Sequence, residues 1–276
     1  WYQKAAMNGN SIALYNLGKS YELGIGVEKD EVKAFEYYKK SAEKGYSDAQ
    51  NNLGYLYDCG QGVKKDRKKA IYWYQKAATN GNAIALYNLG EAYELGIGVE
   101  KDEIKAFEYY NKSVENGYTN SKFYLGYCHI NGIGTEVNKS KVCYWYHKAA
   151  EDDDNRVALY KLGEIYELGK GVSENEIRAF EFYNKSASLG FIDAQYKLGY
   201  IYEHGIEIDN NKEEAINLYK MAAQGGNIEA QKRLASLYEK GEGIQKDIDS
   251  AIYWYKKVIE NGHLEVKENL DNLLNQ

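Results

Sequence analysis

The sequence predicts an all-α fold of about seven two-helix repeats of 36 residues, and three observations carry that prediction. A Leu-Gly pair returns at fixed spacing, each repeat shows two apolar stripes of helical period, and one position of every repeat is Asp or Asn. A period of this size outranks local motifs, because so small a unit buries its apolar face only against its neighbours.

The Leu-Gly pair places its glycine at Gly18, Gly54, Gly90, Gly126, Gly163 and Gly199, and Leu234-Ala235 takes the seventh place. The step is 36 residues and once 37, the extra residue falling around Glu151–Asn155. Three residues after each pair stands Tyr21, Tyr57, Tyr93, Tyr166, Tyr202 or Tyr238, with His129 the exception. Residues 1–38 and 73–110 differ at only 5 positions, which points to duplication of a 72-residue block. The resulting division is a half repeat 1–9, repeats 10–45, 46–81, 82–117, 118–154, 155–190, 191–226 and 227–262, and a C-terminal cap helix 263–276. The chain opens on Trp1 inside a helical pattern, so it is expected to be part of a longer protein.

In the first helix of a repeat, helix A, Ala13, Leu17, Ser20 and Tyr21 form one stripe at i, i+4, i+7 and i+8. In the second, helix B, Ala34, Tyr38 and Ala42 do the same. A glycine inside helix A costs roughly 1 kcal/mol relative to Ala, so close approach of another helix is expected there.

The stretch YELGIGVEKDE, residues 21–31 and again 93–103, carries a glycine pair that could suggest a phosphate loop. Such a loop follows a strand and opens a helix, whereas these glycines follow a helix and recur in nearly every repeat. They are expected to end helix A in a left-handed turn. The next helix then starts at Asp30, Asp66, Asp102, Asn138, Asn175, Asn211 and Asp247, whose side chains suit the free N–H groups of a first turn. The sixth repeat departs from the glycine pattern with Gly205-Ile206-Glu207.

A net charge of −6 argues against neutralising nucleic-acid phosphates or anionic lipid, and basic or apolar partners fit better. No stretch approaches the roughly 18 to 20 apolar residues of a membrane span, so no membrane insertion is expected. Cys59, Cys128 and Cys143 form no CxxC pair and suit a reducing compartment. A cytoplasmic location is therefore expected, with the ER lumen as the alternative if a signal precedes this sequence.

The pattern LGxxYxxGxGV, followed by a capped helix with KAxxWYxKAAxxG, resembles the Sel-1-like repeat, a relative of the tetratricopeptide repeat, over the whole chain. The resemblance implies a right-handed α-solenoid acting as an adaptor or scaffold in protein binding and signalling, and no reaction. A regulatory or docking segment of a larger enzyme, such as a kinase-like protein, is the alternative. A cysteine-rich branch linked to β-lactamase activity carries a disulfide in each repeat, which three scattered cysteines do not match.

Alignment with the tetratricopeptide helix A implies a concave face lined by Tyr15, Tyr87, Phe123, Tyr160 and Tyr196 in one row and Tyr55, Tyr127 and Tyr200 in a second. Beside them run Glu22, Asp58, Glu94, Glu167, Glu203 and Glu239. One reading is a groove for a peptide or protein bearing basic and apolar residues, anchored by aromatics and steered by carboxylates. The other is that the tyrosines stack between helices and the acids form a solvated face.

No catalytic grouping stands out from the repeat pattern, so no enzyme activity and no cofactor are expected. His129, His147, His204 and His263 lack ligand spacing, so no metal is expected. Asp152-Asp153-Asp154-Asn155 reads as a solvated loop. The Asn-Lys-Ser sequons at Asn111, Asn138 and Asn184 read as drift within a repeat motif. The sequence leaves the oligomeric state open.

Overall fold

A computed structural model describes residues 2–153, 155–206 and 208–275, and the glycine-loop departure at Glu207 and the chain-opening Trp1 lie outside them. The described residues form α-helices, one 3-10 turn and no strand. The half repeat is α1 (Tyr2–Met7). The A and B helices then alternate as α2 (Ser11–Leu23), α3 (Glu31–Glu43), α4 (Ser47–Cys59), α5 (Arg67–Thr79), α6 (Ala83–Leu95), α7 (Glu103–Glu115), α8 (Ser121–Asn131) and α9 (Lys139–Asp153). They continue as α10 (Arg156–Glu167), α11 (Glu176–Ser188), α12 (Ile192–His204), α13 (Lys212–Gln224), α14 (Ile228–Lys240) and α15 (Ile248–Glu260), and α16 (Lys267–Leu274) closes the series. Consecutive helices pack in pairs, the arrangement of an α-solenoid. The chain divides inside α9 into two compact units, residues 1–145 and 146–276.

In both units the A helix packs most closely on the B helix of its own repeat, and the glycine of the Leu-Gly pair explains why. A methyl group added at Gly18 would stand 2.8 Å from the Tyr38 ring, and at Gly163 it would stand 2.5 Å from Tyr183. The missing side chain is therefore filled by the B-helix tyrosine, which is almost completely buried: Tyr38, Tyr110, Tyr183 and Tyr219 are at most 1% exposed. Ala235 occupies the same place in the last repeat, buried in one cluster with Tyr255.

The turns behave as capping chemistry requires. Gly24 ends α2 at φ 70° and ψ 30°, where a side chain would be strained, and its N–H donates to the Ser20 carbonyl. Asp30 Oδ1 accepts the Lys33 N–H at 2.9 Å, Asp66 that of Lys69 at 3.1 Å, and Asn175 that of Arg178 at 2.9 Å. Asp102, Asn138, Asn211 and Asp247 repeat the contact at 3.0–3.1 Å.

Two further links are invisible in the spacing. Ser41, Ser113 and Ser186 are fully buried in B helices and donate at 2.7 Å to the Ser11, Ala83 and Arg156 carbonyls at the start of the paired A helix. Ser113 and Ser186 are the serines of the sequons at Asn111 and Asn184, which accounts for that motif without a glycan. The A helices carry their own caps as well: Asn10, Asn82, Asn155 and Asn227 accept from Ala13, Ala85, Ala158 and Ala230.

The acidic run is a correction. It reads as a loop, but α9 continues through Asp153 and Asn155 caps α10, accepting from Val157 and Ala158. Asp154 lies outside the described residues. At the C-terminus, Val266, Leu270 and Leu273 are buried against α15, while Leu274 is exposed.

Candidate partner-binding face

The two aromatic rows of the A helices differ in what they touch. In the first unit, Tyr15 is half-buried, its ring 5.5 Å from Tyr38 and 5.2 Å from Tyr46. Tyr87 lies 4.9 Å from Tyr124 and 5.5 Å from Tyr118, and Phe123 meets Tyr124 edge-on at 5.5 Å. In the second unit, Tyr160 packs on Phe191 at 5.2 Å and Tyr196 on Tyr219 at 5.9 Å. These rings bracket neighbouring helices, at separations where aromatic pairs attract. The other row is open: Tyr55 is 53% exposed and Tyr127 and Tyr200 are 38% exposed.

The carboxylates are more constrained than a solvated ladder. Tyr38 donates its hydroxyl to Glu22 at 2.5 Å, Tyr110 to Glu94 at 2.7 Å, Tyr183 to Glu167 at 2.7 Å, Tyr219 to Glu203 at 2.8 Å and Tyr255 to Glu239 at 2.7 Å. Burial, and after it the adjacent glutamate, holds each of these phenols well above the usual tyrosine range, so each remains a donor. The clue in the sequence is a constant Glu-to-Tyr interval of 16 residues. The two residues sit on different helices, so no local pattern links them.

The units diverge in the next partner. In the second, Lys197 Nζ reaches Glu167 at 2.7 Å and Arg233 Nε reaches Glu203 at 3.0 and 3.1 Å, each cation coming 30 residues after its acid. Burial pushes the Glu203 carboxyl up, but Arg233 and Tyr219 outweigh it and hold the group below its ordinary value. In the first unit the same register holds Asn52, Asn88 and Tyr124, which are uncharged. There Asp58 faces Arg67, with Nε 3.7 Å away. Glu91, one turn from Glu94, is held above its ordinary value by burial first and then by Glu94 and Asp58.

Cys128 and Cys143 are buried and Cys59 is exposed, all as free thiols, and burial raises the Cys128 thiol to about 12. Among the described residues no cluster of His, Cys, Asp or Glu has the geometry to hold a metal ion, and no helix is long and apolar enough to cross a membrane.

A family model described as Sel1 repeat matches residues 1–10, 11–46, 47–82, 83–118, 119–154, 156–191, 192–227 and 228–263. The chain belongs to the Sel1-repeat family. Among solved structures, this Sel1-repeat chain is similar to c5321, a protective antigen of uropathogenic Escherichia coli strains displaying an SLR fold. The identity is 37% and the TM-score 0.81, over 98% of this chain and 58% of the antigen, so the chain spans a little over half the antigen's length. A Sel1 repeat protein from Oxalobacter formigenes is 29% identical with a TM-score of 0.84, covering 99% of this chain and 78% of that one. An immunity protein from Pseudomonas aeruginosa, 20% identical with a TM-score of 0.53 over 78% of this chain and 80% of its own, shares the fold alone. No curated protein matches the chain. Sel1-repeat proteins are in general protein-interaction scaffolds.

Proposed function

We propose that the A-helix face binds a peptide or partner domain carrying basic and apolar residues, with the first unit as the main contact. The observation behind this reading is the contrast between the units: Glu167 and Glu203 are paired to Lys197 and Arg233, whereas the register opposite Glu22, Asp58 and Glu94 is neutral. Exposed Tyr55 and Tyr127 stand beside those carboxylates and supply apolar area at small conformational cost. The packed row of Tyr15 and Tyr87 would then support the face, and Asp58, Glu94, Tyr55 and Tyr127 would meet the partner. Free thiols suit a reducing, cytoplasmic setting for this encounter.

Affinity capture from a cell extract with wild type and a Tyr55→Ala/Tyr127→Ala double variant tests the proposal. Loss of partners from a variant that still melts cooperatively supports it. Retention of every partner removes the face from consideration and favours a docking role elsewhere on a larger enzyme.

A further inference from the structure

Between α4, α5 and α6 of the first unit lies a cavity of about 150 Å³, and its walls are unusual for this fold. Tyr74 is the sister of the five tyrosines that donate to a glutamate, and it is only 6% exposed. Its acid is Asp58, one methylene shorter, and among the described residues the Tyr74 hydroxyl has no hydrogen-bond partner. That phenol lines the cavity together with Asp58 and Glu91. The Tyr74 ring is buried while its hydroxyl opens onto the cavity, so that group is left to pair with whatever enters.

The second unit shows what completes such a site. Its equivalent hollow, at Glu203 and Tyr219, is lined by the chain's own Arg233, whose Nε reaches both carboxylate oxygens. In the first unit the residue in the register of Arg233 is Asn88, neutral and turned to donate to Asn51 Oδ1 at 3.0 Å. Arg67 stands at the rim, half exposed and 3.7 Å from Asp58, too far for a hydrogen bond. Two carboxylates therefore face the cavity against one loosely held cation.

We propose that this cavity receives the guanidinium of an arginine side chain from a partner protein, which takes the place that Arg233 fills from within the chain in the second unit. A guanidinium presents five donors in a plane, enough to serve Asp58, Glu91 and the Tyr74 oxygen together, which a lysine ammonium matches less well. The carbon stem would leave the cavity past Tyr55, which also lines it. This inference rests on the reading of the A-helix face as the binding surface.

The test is a nitrogen-15 NMR titration of the whole chain with N-acetyl-arginine amide and, in parallel, its citrulline analogue, which keeps the shape and loses the charge. Shifts confined to the amides around Asp58, Tyr74, Asn88 and Glu91, given by arginine alone, support the site. Binding should weaken about tenfold or more in Glu91→Gln, and vanish in Asn88→Arg, which supplies the cation internally. Glu91→Gln keeps the comparison valid if Asn88→Arg folds poorly, since Glu91 is half-exposed. Equal shifts with citrulline, or none with arginine, overturn the proposal. Shifts that map to Tyr127 and survive Asn88→Arg overturn it while leaving the binding face intact. Arginine binding in the cavity, together with full partner capture by the Tyr55→Ala/Tyr127→Ala variant, upholds the site and defeats the broader reading of the face.

Discussion

Tyr110 donates its hydroxyl to Glu94 at 2.7 Å while its ring lies over Gly90, where an added methyl would stand 2.7 Å from the ring carbons. One side chain thus satisfies a carboxylate and fills the gap left by a glycine. Gly90→Ala should lose about 1–3 kcal/mol through overpacking, although alanine is the better helix former by about 1 kcal/mol. Thermal or urea denaturation decides the sign, and a stabilised variant would show that the ring moves aside freely.

Tyr110→Phe keeps the ring and removes the donor. Glu94 is half-exposed and recovers some solvent, so the expected loss is about 1–2 kcal/mol, below the full value of a hydrogen bond to a buried charge. The double variant Tyr110→Phe/Glu94→Gln should lose less than the sum of the two single changes, and simple additivity would deny the coupling.

Asn175 caps α11 by accepting the Arg178 N–H. Asn175→Ala should cost about 1 kcal/mol, and Asn175→Asp close to nothing, because four sister repeats use Asp at this position. Equilibrium unfolding of the two variants side by side separates loss of the cap from any effect of charge.

His129 takes a tyrosine's place in α8, is 2% exposed, and has a buried Nδ1 without a partner. Burial, ahead of the neighbouring charges, holds its imidazole below the ordinary histidine value of 6.5. The unfolded chain therefore binds the proton first as pH drops below about 6.5, and stability should decline there. Melting temperatures from about pH 7.5 to about pH 5.5 should fall less in His129→Tyr than in wild type. Parallel curves for the two proteins would assign the decline to other groups.

Glu203 has a dependence of the same sign at lower pH. Its carboxyl is held below its ordinary value of 4.5, so the stability it supplies is complete at neutral pH and disappears as pH falls through and below that value. Arg233→Met should lower stability at neutral pH by about 1–2 kcal/mol, a figure reduced for the partial exposure of the pair. It should also flatten the acid side of the profile, and an unchanged acid limb would mean that Tyr219 alone holds the carboxylate.

The repeat, its helix pairs and its caps were legible because each is a local matter: a stripe of period 3.6, a glycine that tolerates a positive φ, an Asp or Asn with a short acceptor. What Glu22 touches was not legible. Its partner Tyr38 lies on another helix, and only the crossing over Gly18 brings the two together. The same limit hid the pairing of Glu203 with Arg233, since a cation 30 residues away has no local signature. Tyr15 and Tyr55 occupy similar positions on the helical wheel, yet one is clasped by Tyr46 and the other is half in solvent. That difference comes from Tyr46, which the following repeat places against Tyr15.

The buried Ser41 ties α3 back to Ser11 across 30 residues, and the Asn88–Asn51 side-chain hydrogen bond spans 37. No long loop must close before such contacts begin to form, so folding can start at any repeat and spread to its neighbours. A chain wired in this way can grow by copying. A block of 72 residues inserted between two others meets the same carbonyls and glycines that its parent met, and the near-identity of residues 1–38 and 73–110 records one such event in a length that was never fixed by the architecture.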